Sequence, residues 1–431
     1  MAIGDMIVFV IMGIKELNAL KTFTLAGLIF IRPFVSGLAY PVFEFWYEIA
    51  VISTAITTIR HRVSPSSYAK ASEDRLATHG VGLVILVLAY IISTPTSINI
   101  HNSLKEVMKF LSYVSVFFIA SNMDENRKKV VIKTIVISGL IISAYSIYQY
   151  FWGFQHTIEY LKKIDPDFLS RSSYGKDILL SKRAIGTFPS PNILGSYLVM
   201  MFFLFLHYHI RHRESPACPP KPWHRRKATH GVGLVMFMLI IALILTKSLG
   251  AWLSLIVTLI ILAALSYNNV KKYKIYVIAS IVIITLILVF IIINRWERLT
   301  DLENPQNSIT QRLNYWRTAI AVIKDHPLAG VGPGNFQEVF LRYKVGLTTD
   351  TRYAHNILLQ QWSETGILGF IGMILLLFSF IKKYRTESRY IFLAGLVFLI
   401  HNLIDNSYYI PETGLLWWAI YGIIIYGDKN V

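Results

Sequence analysis

Several side chains able to hold an anion or move a proton stand where long apolar runs begin or end. His355 heads a polar stretch of His355, Asn356, Gln360, Gln361 and Glu364 that opens into an apolar run. Asn356, Gln360 and Glu364 recur at every fourth position and share one face of a helix. His401 and Asp405 repeat the i, i+4 spacing near the end of another run. Arg183 shortly precedes Pro191 and Asn192, which begin a further run, and Lys247 lies in a short break between two more. Arg312 and Arg317 fall in an amphipathic stretch. A guanidinium is a permanently charged, forked donor suited to phosphate. An imidazole takes up a proton near neutral pH. Taken singly, each polar group also suits interhelical hydrogen bonding. Their gathering at one end of the apolar runs argues for a binding or active site.

The elements that must position these groups are membrane helices. The chain has 431 residues, 54% hydrophobic and 16% charged, with a mean hydropathy of +0.50. A soluble domain carries about 25% charged residues. Spanning takes about 20 helical residues, and spans are read at 22–40, 43–59, 80–96, 104–121, 130–151, 191–210, 231–247, 249–266, 275–294, 356–381, 389–406 and 412–427. The predicted fold is all-α, an integral membrane protein with about twelve transmembrane helices. A net charge of +17 would point to nucleic acid in a soluble protein. Here the basic residues follow the even-numbered spans, as with Arg60 and Arg62, Arg127 to Lys129, Lys271 to Lys274, and Lys382 to Arg385. The positive-inside rule then makes both termini cytoplasmic, with the bilayer rather than nucleic acid as partner. The long loops 152–190 and 295–355 fall on the outer, periplasmic side, the second partly helical and just before the tenth helix. Cys218 is the only cysteine, which excludes an intrachain disulfide. The apolar run Met6 to Ile14 is short and lacks a small-residue cleavage site, so no cleavable signal is expected.

Three regions follow: helices 1–9 within 1–294, with cytoplasmic inserts near 60–79 and 211–229; the outer loop 295–355; and helices 10–12 within 356–431. Arg32 with Glu44 and Glu48 reads as a structural ion pair across a helix hairpin. In the outer loop, Ser308 and Gln311 form a capping-box pattern. A helix should follow with Leu313, Trp316, Ile320 and Ile323 on one stripe, ending near Asp325-His326-Pro327. A cation in its first turn opposes the helix dipole, so Arg312 is expected to serve an anion. Gly330 to Asn335 reads as a turn, since no Gly-Lys-Ser/Thr completes a P-loop. The octapeptide Ala77–Val84 recurs as Ala228–Val235 and reads as duplicated sequence in cytoplasmic loops. Asp301 and Glu303 are an isolated acidic pair, and no metal cluster is read on the outer side.

Two stretches carry a resemblance. One is Arg183-Ala184-Ile185-Gly186-Thr187-Phe188-Pro189-Ser190-Pro191-Asn192. The other begins at Arg312-Leu313-Asn314-Tyr315-Trp316, passes through His326-Pro327-Leu328-Ala329-Gly330-Val331-Gly332, and ends with Ala354-His355-Asn356-Ile357-Leu358-Leu359-Gln360 and Glu364-Thr365-Gly366. Together these resemble the O-antigen ligase and O-antigen polymerase superfamily, with the like region at roughly 183–380. The resemblance implies a glycosyltransferase of the bacterial cytoplasmic (inner) membrane. It would move a glycan from a polyprenyl (undecaprenyl) diphosphate carrier to lipid A–core or another glycan acceptor at the outer face. It implies Arg183 and Arg312 as ligands of the diphosphate and His355 as the catalytic residue. Tyr353, and Lys247 with Ser248 to Gly250, stand where many members have histidine and arginine. Asn192, Asn356, Glu364, Arg317 and Lys247 are the supporting candidates.

The chemistry is consistent. Cleaving a sugar–diphosphate bond needs the leaving charge neutralised, which arginines supply, and an acceptor hydroxyl needs a base. Transfer independent of metal, nucleotide or other cofactor, by direct displacement, is the expectation. Two alternatives stand beside it: a polymerase or protein O-glycosyltransferase of the same superfamily, and a solute transporter. A transporter should carry charged groups near the midplane of broken helices.

Overall fold

The computed structural model describes residues 24–35, 41–60, 69–165, 178–213, 222–265, 307–346, 348–384 and 388–425, with isolated positions elsewhere. The regular structure among these residues is helical, without strands. The principal elements are α1 (Thr24–Phe34), α2 (Pro41–Arg60), α3 (Ala69–Ser93), α4 (Ile100–Ser121), α5 (Glu125–Tyr148), α6 (Phe154–Ile164), α7 (Pro191–Arg213), α8 (Pro222–Thr246) and α9 (Leu249–Leu265). They continue with α10 (Ser308–Asp325), α11 (Phe336–Tyr343), α12 (Ile357–Ile381), α13 (Arg389–His401) and α14 (Pro411–Ile425).

Among the described residues, three helices are long and apolar enough to cross a membrane: Glu125–Ile164, Pro191–Ile210 and Ile357–Ile381. Thr24–Phe34, Gly80–Ser93, Gly233–Thr246, Leu249–Leu265 and Arg389–His401 are shorter apolar helices. The chain is therefore a helical membrane protein. Most of the expected ninth span, the run Met6 to Ile14, and positions 61–68 and 214–221 of the inserts lie outside the described residues.

The helices that carry the site are fixed by close contacts. α12 packs along α3, α14 against α4, and α13 against α7. Small residues permit the first crossing: a Cβ on Gly82 would stand 2.6 Å from the Leu376 amide, and one on Gly372 would stand 2.8 Å from that of Leu86. Gly82 belongs to the first copy of the octapeptide. Its counterpart Gly233 has nothing within 4 Å. The identical sequences thus sit in unlike surroundings, each within a helix. The insert near 60–79 is helical from Ala69 onward.

The ion pair expected at Arg32 is present. Its Nη2 lies 2.6 Å from Glu44 and 3.6 Å from Glu412, with the guanidinium 4.9 Å from the Tyr47 ring centre. Its reach to α14 ties a third helix into the hairpin.

The expected loop 152–190 begins as helix. α5 runs through a π-turn at Gln149–Gly153 into α6, so the helix continues to Ile164. The wide turn lets Gln149 accept from the Ile185 and Gly186 amides at 2.9 and 2.8 Å, fastening the Arg183 segment to α5.

α12 is broken at Gly366, whose φ is 67° and ψ −167°, a region open essentially to glycine. The turn at Gly330 to Asn335 follows α10 as expected and covers the break. Val331 donates to Ser363 at 3.0 Å, Gly332 to Glu364 at 2.9 Å, and Ile367 to Pro327 at 3.0 Å. A Cβ on Gly366 would lie 1.9 Å from the Leu328 carbonyl oxygen. Gly366→Ala is expected to cost about 3 kcal/mol or more. A large drop in thermal midpoint and in monodisperse yield checks it; wild-type stability would show that the break is not required.

Candidate functional site

α10 starts one residue earlier than the capping box implied. Asn307 is the cap, its side-chain oxygen accepting from the Ile309 and Thr310 amides at 2.8 and 3.4 Å. Its end at Asp325 agrees with the expectation. The predicted stripe is mostly reversed. α10 buries Asn314, Tyr315, Thr318, Ala319, Val322 and Ile323, whereas Leu313 and Ile320 face outward. Small residues let the helix lie close on the loop core of Val331, Phe336 and Phe340.

This placement turns Arg312 back toward the end of α13. Its Nε donates to the Ile404 carbonyl at 2.7 Å, Nη1 to Ser308 at 3.2 Å, and Nη2 to Asp405 at 3.4 Å. A guanidinium has five N–H donors, so donors remain for a ligand. Asp405 is buried and also accepts from the Asn406 amide and the Ser407 hydroxyl.

His355 completes the group. Its backbone is left-handed, φ 53°, just before the α12 cap. Asn356 caps α12 through Leu358 and Leu359 and donates to the Leu403 carbonyl at 2.9 Å. The Ile357 amide donates to Asn402 at 2.9 Å. Both bonds tie the His355 segment to the end of α13. The imidazole stacks on Tyr315, ring centres 5.4 Å apart, and Trp316 donates to the His355 carbonyl at 3.4 Å. Burial lowers the His355 pKa to about 4; Asp405 opposes this, and Arg312 and His401 add to it. The ring is neutral at pH 7 and can accept a proton. His401, fully buried, has no hydrogen-bond partner for either ring nitrogen among the described residues.

Arg183 lies in a second, adjoining group. Its Nε donates to the Thr246 carbonyl at 3.2 Å and its Nη2 to Asn192 at 3.1 Å, at the start of α7. Lys247, left-handed at φ 52°, donates to Ser181 at 2.7 Å. The start of α9, just after Lys247, lies against α13, where a Cβ on Gly250 would be 3.2 Å from His401 Nε2. Arg183, Asn192 and Lys247 thus come together, as do Arg312, His355 and Asn356.

Glu364 and Arg317 are placed differently. Glu364 accepts from the Phe336 amide at 3.2 Å, and Gln360 from the Ala354 amide at 2.6 Å, so this face of α12 braces loop backbone. Arg317 donates to Asn314 on its own helix at 3.2 Å. Sequence reasoning noticed His401 and Asp405 as a pair but left both out of the candidate set. It missed the buried Glu106–Lys109 ion pair, from which Lys109 donates to the Tyr409 carbonyl at 2.9 Å. Two charges inside the predicted span 104–121 were the signal.

Residues 234–374 match a family model described as O-Antigen ligase. The segment contains Lys247, Arg312, Arg317, His355, Asn356 and Glu364; Arg183, Asn192, His401 and Asp405 lie outside it. A similar chain is an uncharacterized protein of Haemophilus influenzae (strain ATCC 51907 / DSM 11121 / KW20 / Rd), 26% identical over 195 residues. Those residues are 39% of this chain and 49% of the relative, so the match spans about half the relative's length.

Proposed function

We propose, for a chain whose residues 234–374 belong to the O-antigen ligase superfamily, that it transfers a glycan from a polyprenyl diphosphate to an acceptor hydroxyl. The protein is a membrane protein of the bacterial inner membrane. The transfer takes place at the outer face, with the loop 295–355 periplasmic and both termini cytoplasmic. The observation that carries this reading is Arg312, ion-paired to the buried carboxylate of Asp405 with N–H donors to spare, and a neutral His355 near enough to feel both charges.

Arg312 and Arg183 hold the diphosphate from adjoining groups, and Lys247 adds charge beside Arg183. The acceptor oxygen attacks the anomeric carbon, and its proton passes to a ring nitrogen of His355. The bond from that carbon to the diphosphate oxygen breaks, and the electron pair leaves with the polyprenyl diphosphate. Attack opposite the leaving group inverts the anomeric centre. Guanidinium charge lowers the barrier by stabilising the leaving group where negative charge develops.

Purified full-length protein, given a polyprenyl-diphosphate glycan and a lipid A–core acceptor, is expected to yield the joined glycolipid by mass spectrometry. His355→Ala should lower the rate by about 10²–10⁴-fold without loss of fold. A ladder of longer carrier-linked glycans would identify a polymerase instead. No turnover, together with uptake of labelled solute into proteoliposomes, would replace this reading with a transporter.

A further inference from the structure

The outward face of α10 carries an apolar line. Ile309, Leu313 and Ile320 are 43%, 41% and 44% exposed, and the half-buried Trp316 lies between them. Their spacing of i, i+4, i+7 and i+11 puts all four on one narrow stripe. The stripe runs into the site. The Trp316 indole donates to the His355 carbonyl, and Arg312 flanks the stripe on the edge that turns to Asp405. Arg317 flanks the other edge. An apolar track with a cation on its edge, passing a base partway along, matches a ligand with a hydrocarbon chain joined to a phosphate. A donor held at Arg312 must point its sugar toward His355, so its hydrocarbon leaves by another direction. α10 supplies that direction. From Ile309 to Ile320 it rises about 16 Å at 1.5 Å per residue, the length of a few isoprene units.

We propose that Ile309, Leu313, Trp316 and Ile320 seat the phosphate-proximal isoprene units of the donor, so that α10 recognises the carrier chain as well as its diphosphate. The inference rests on the transfer reading above. The chain contributes affinity by burying apolar surface, and Arg312 fixes where it begins.

The test compares two donors with the same glycan and diphosphate, one on a long polyprenyl chain and one, the short-chain donor, on a methyl group with no isoprene unit to seat. Wild-type protein is expected to favour the long chain in kcat/KM. The double variant Leu313→Asn/Ile320→Asn should reduce that preference by about tenfold or more, with turnover of the short-chain donor unchanged. Leu341→Asn, 68% exposed on α11 and outside the stripe, should leave the preference intact. Equal loss with both donors would overturn the track and show a helix that only docks on the bilayer. An unchanged preference would also overturn it. A sugar-free polyprenyl diphosphate with a diazirine on its second isoprene unit gives a readout independent of turnover. It should crosslink to the peptide holding residues 313–320, and labelling elsewhere overturns the proposal. Wild-type protein inert toward both donors would sink the transfer reading itself, whereas turnover with an unaltered preference sinks the track alone.

Discussion

Lysine at position 312 is expected to lower kcat/KM for the lipid-linked donor by about 10²–10³-fold, or about 2.7–4 kcal/mol of transition-state stabilisation. The residue keeps its charge in this variant, so Asp405 retains a nearby cation. What disappears is the planar fork that reaches Ile404, Ser308 and Asp405 at once and still presents donors outward. A lysine ammonium has three donors on a flexible stem and cannot reproduce that arrangement. Arg312→Ala is less informative, since it also strands a buried carboxylate and adds a folding cost. Arg317→Lys is the matched control: that residue is exposed and bonded within its own helix, so the rate should stay near wild type. Initial rates over a donor titration decide the matter. Full activity with lysine at 312 would mean that charge alone suffices there.

The second large effect concerns pH. His355 has its pKa lowered from 6.5 to about 4, chiefly by burial. A base with a lowered pKa stays competent as acid is added. kcat/KM should therefore be level from neutrality through about pH 5 and fall as pH drops through about 4. An unperturbed histidine would lose activity through about 6.5. Bound diphosphate brings negative charge to the side of Arg312 and offsets a cation that helps to depress the ring. The acid limb of kcat, which reports the donor complex, should accordingly lie at higher pH than that of kcat/KM. Stability follows the same sign. The unfolded imidazole binds its proton near 6.5 and the folded one not until about 4, so the contribution is full above pH 6.5 and is lost as pH falls between these values. Stopped-assay rates from pH 3.5 to 8 check the profile; a limb at 6.5 in kcat/KM would show a solvated base.

Much of this arrangement is legible in the sequence because local chemistry marks it. Pro327 and the glycines after it end α10 where expected, and Pro191 begins α7. The burial of α10 was not legible. Periodicity finds a stripe of Leu313, Trp316 and Ile320 but cannot say which side has a partner. Here close packing selects Asn314, Thr318 and Ala319. The continuation of α5 into α6 was hidden for a related reason: the residues after Gly153 are amphipathic and charged, so hydropathy ends where helix does not. The bond from Arg312 to Asp405 joins residues 93 positions apart, and no spacing rule reaches that far. His355, Arg312 and Arg183 were found by type and motif; the carboxylate and second imidazole beside them needed the fold.

The break at Gly366 has a consequence for the surrounding lipid. Beyond it, the unbroken part of α12 to Ile381 rises about 22 Å, against a hydrocarbon core of about 30 Å. Hydrophobic mismatch of this size is met by local thinning of the bilayer. The alternative would put unpaired backbone in oil, and the turn at Pro327 to Gly332 already takes up the groups released at the break. A thinned annulus on this side of the bundle brings the headgroup plane toward His355 and Arg312. On the transfer reading proposed above, a lipid-anchored diphosphate would then have a shorter climb to the site, with protein and membrane sharing the work of bringing it there.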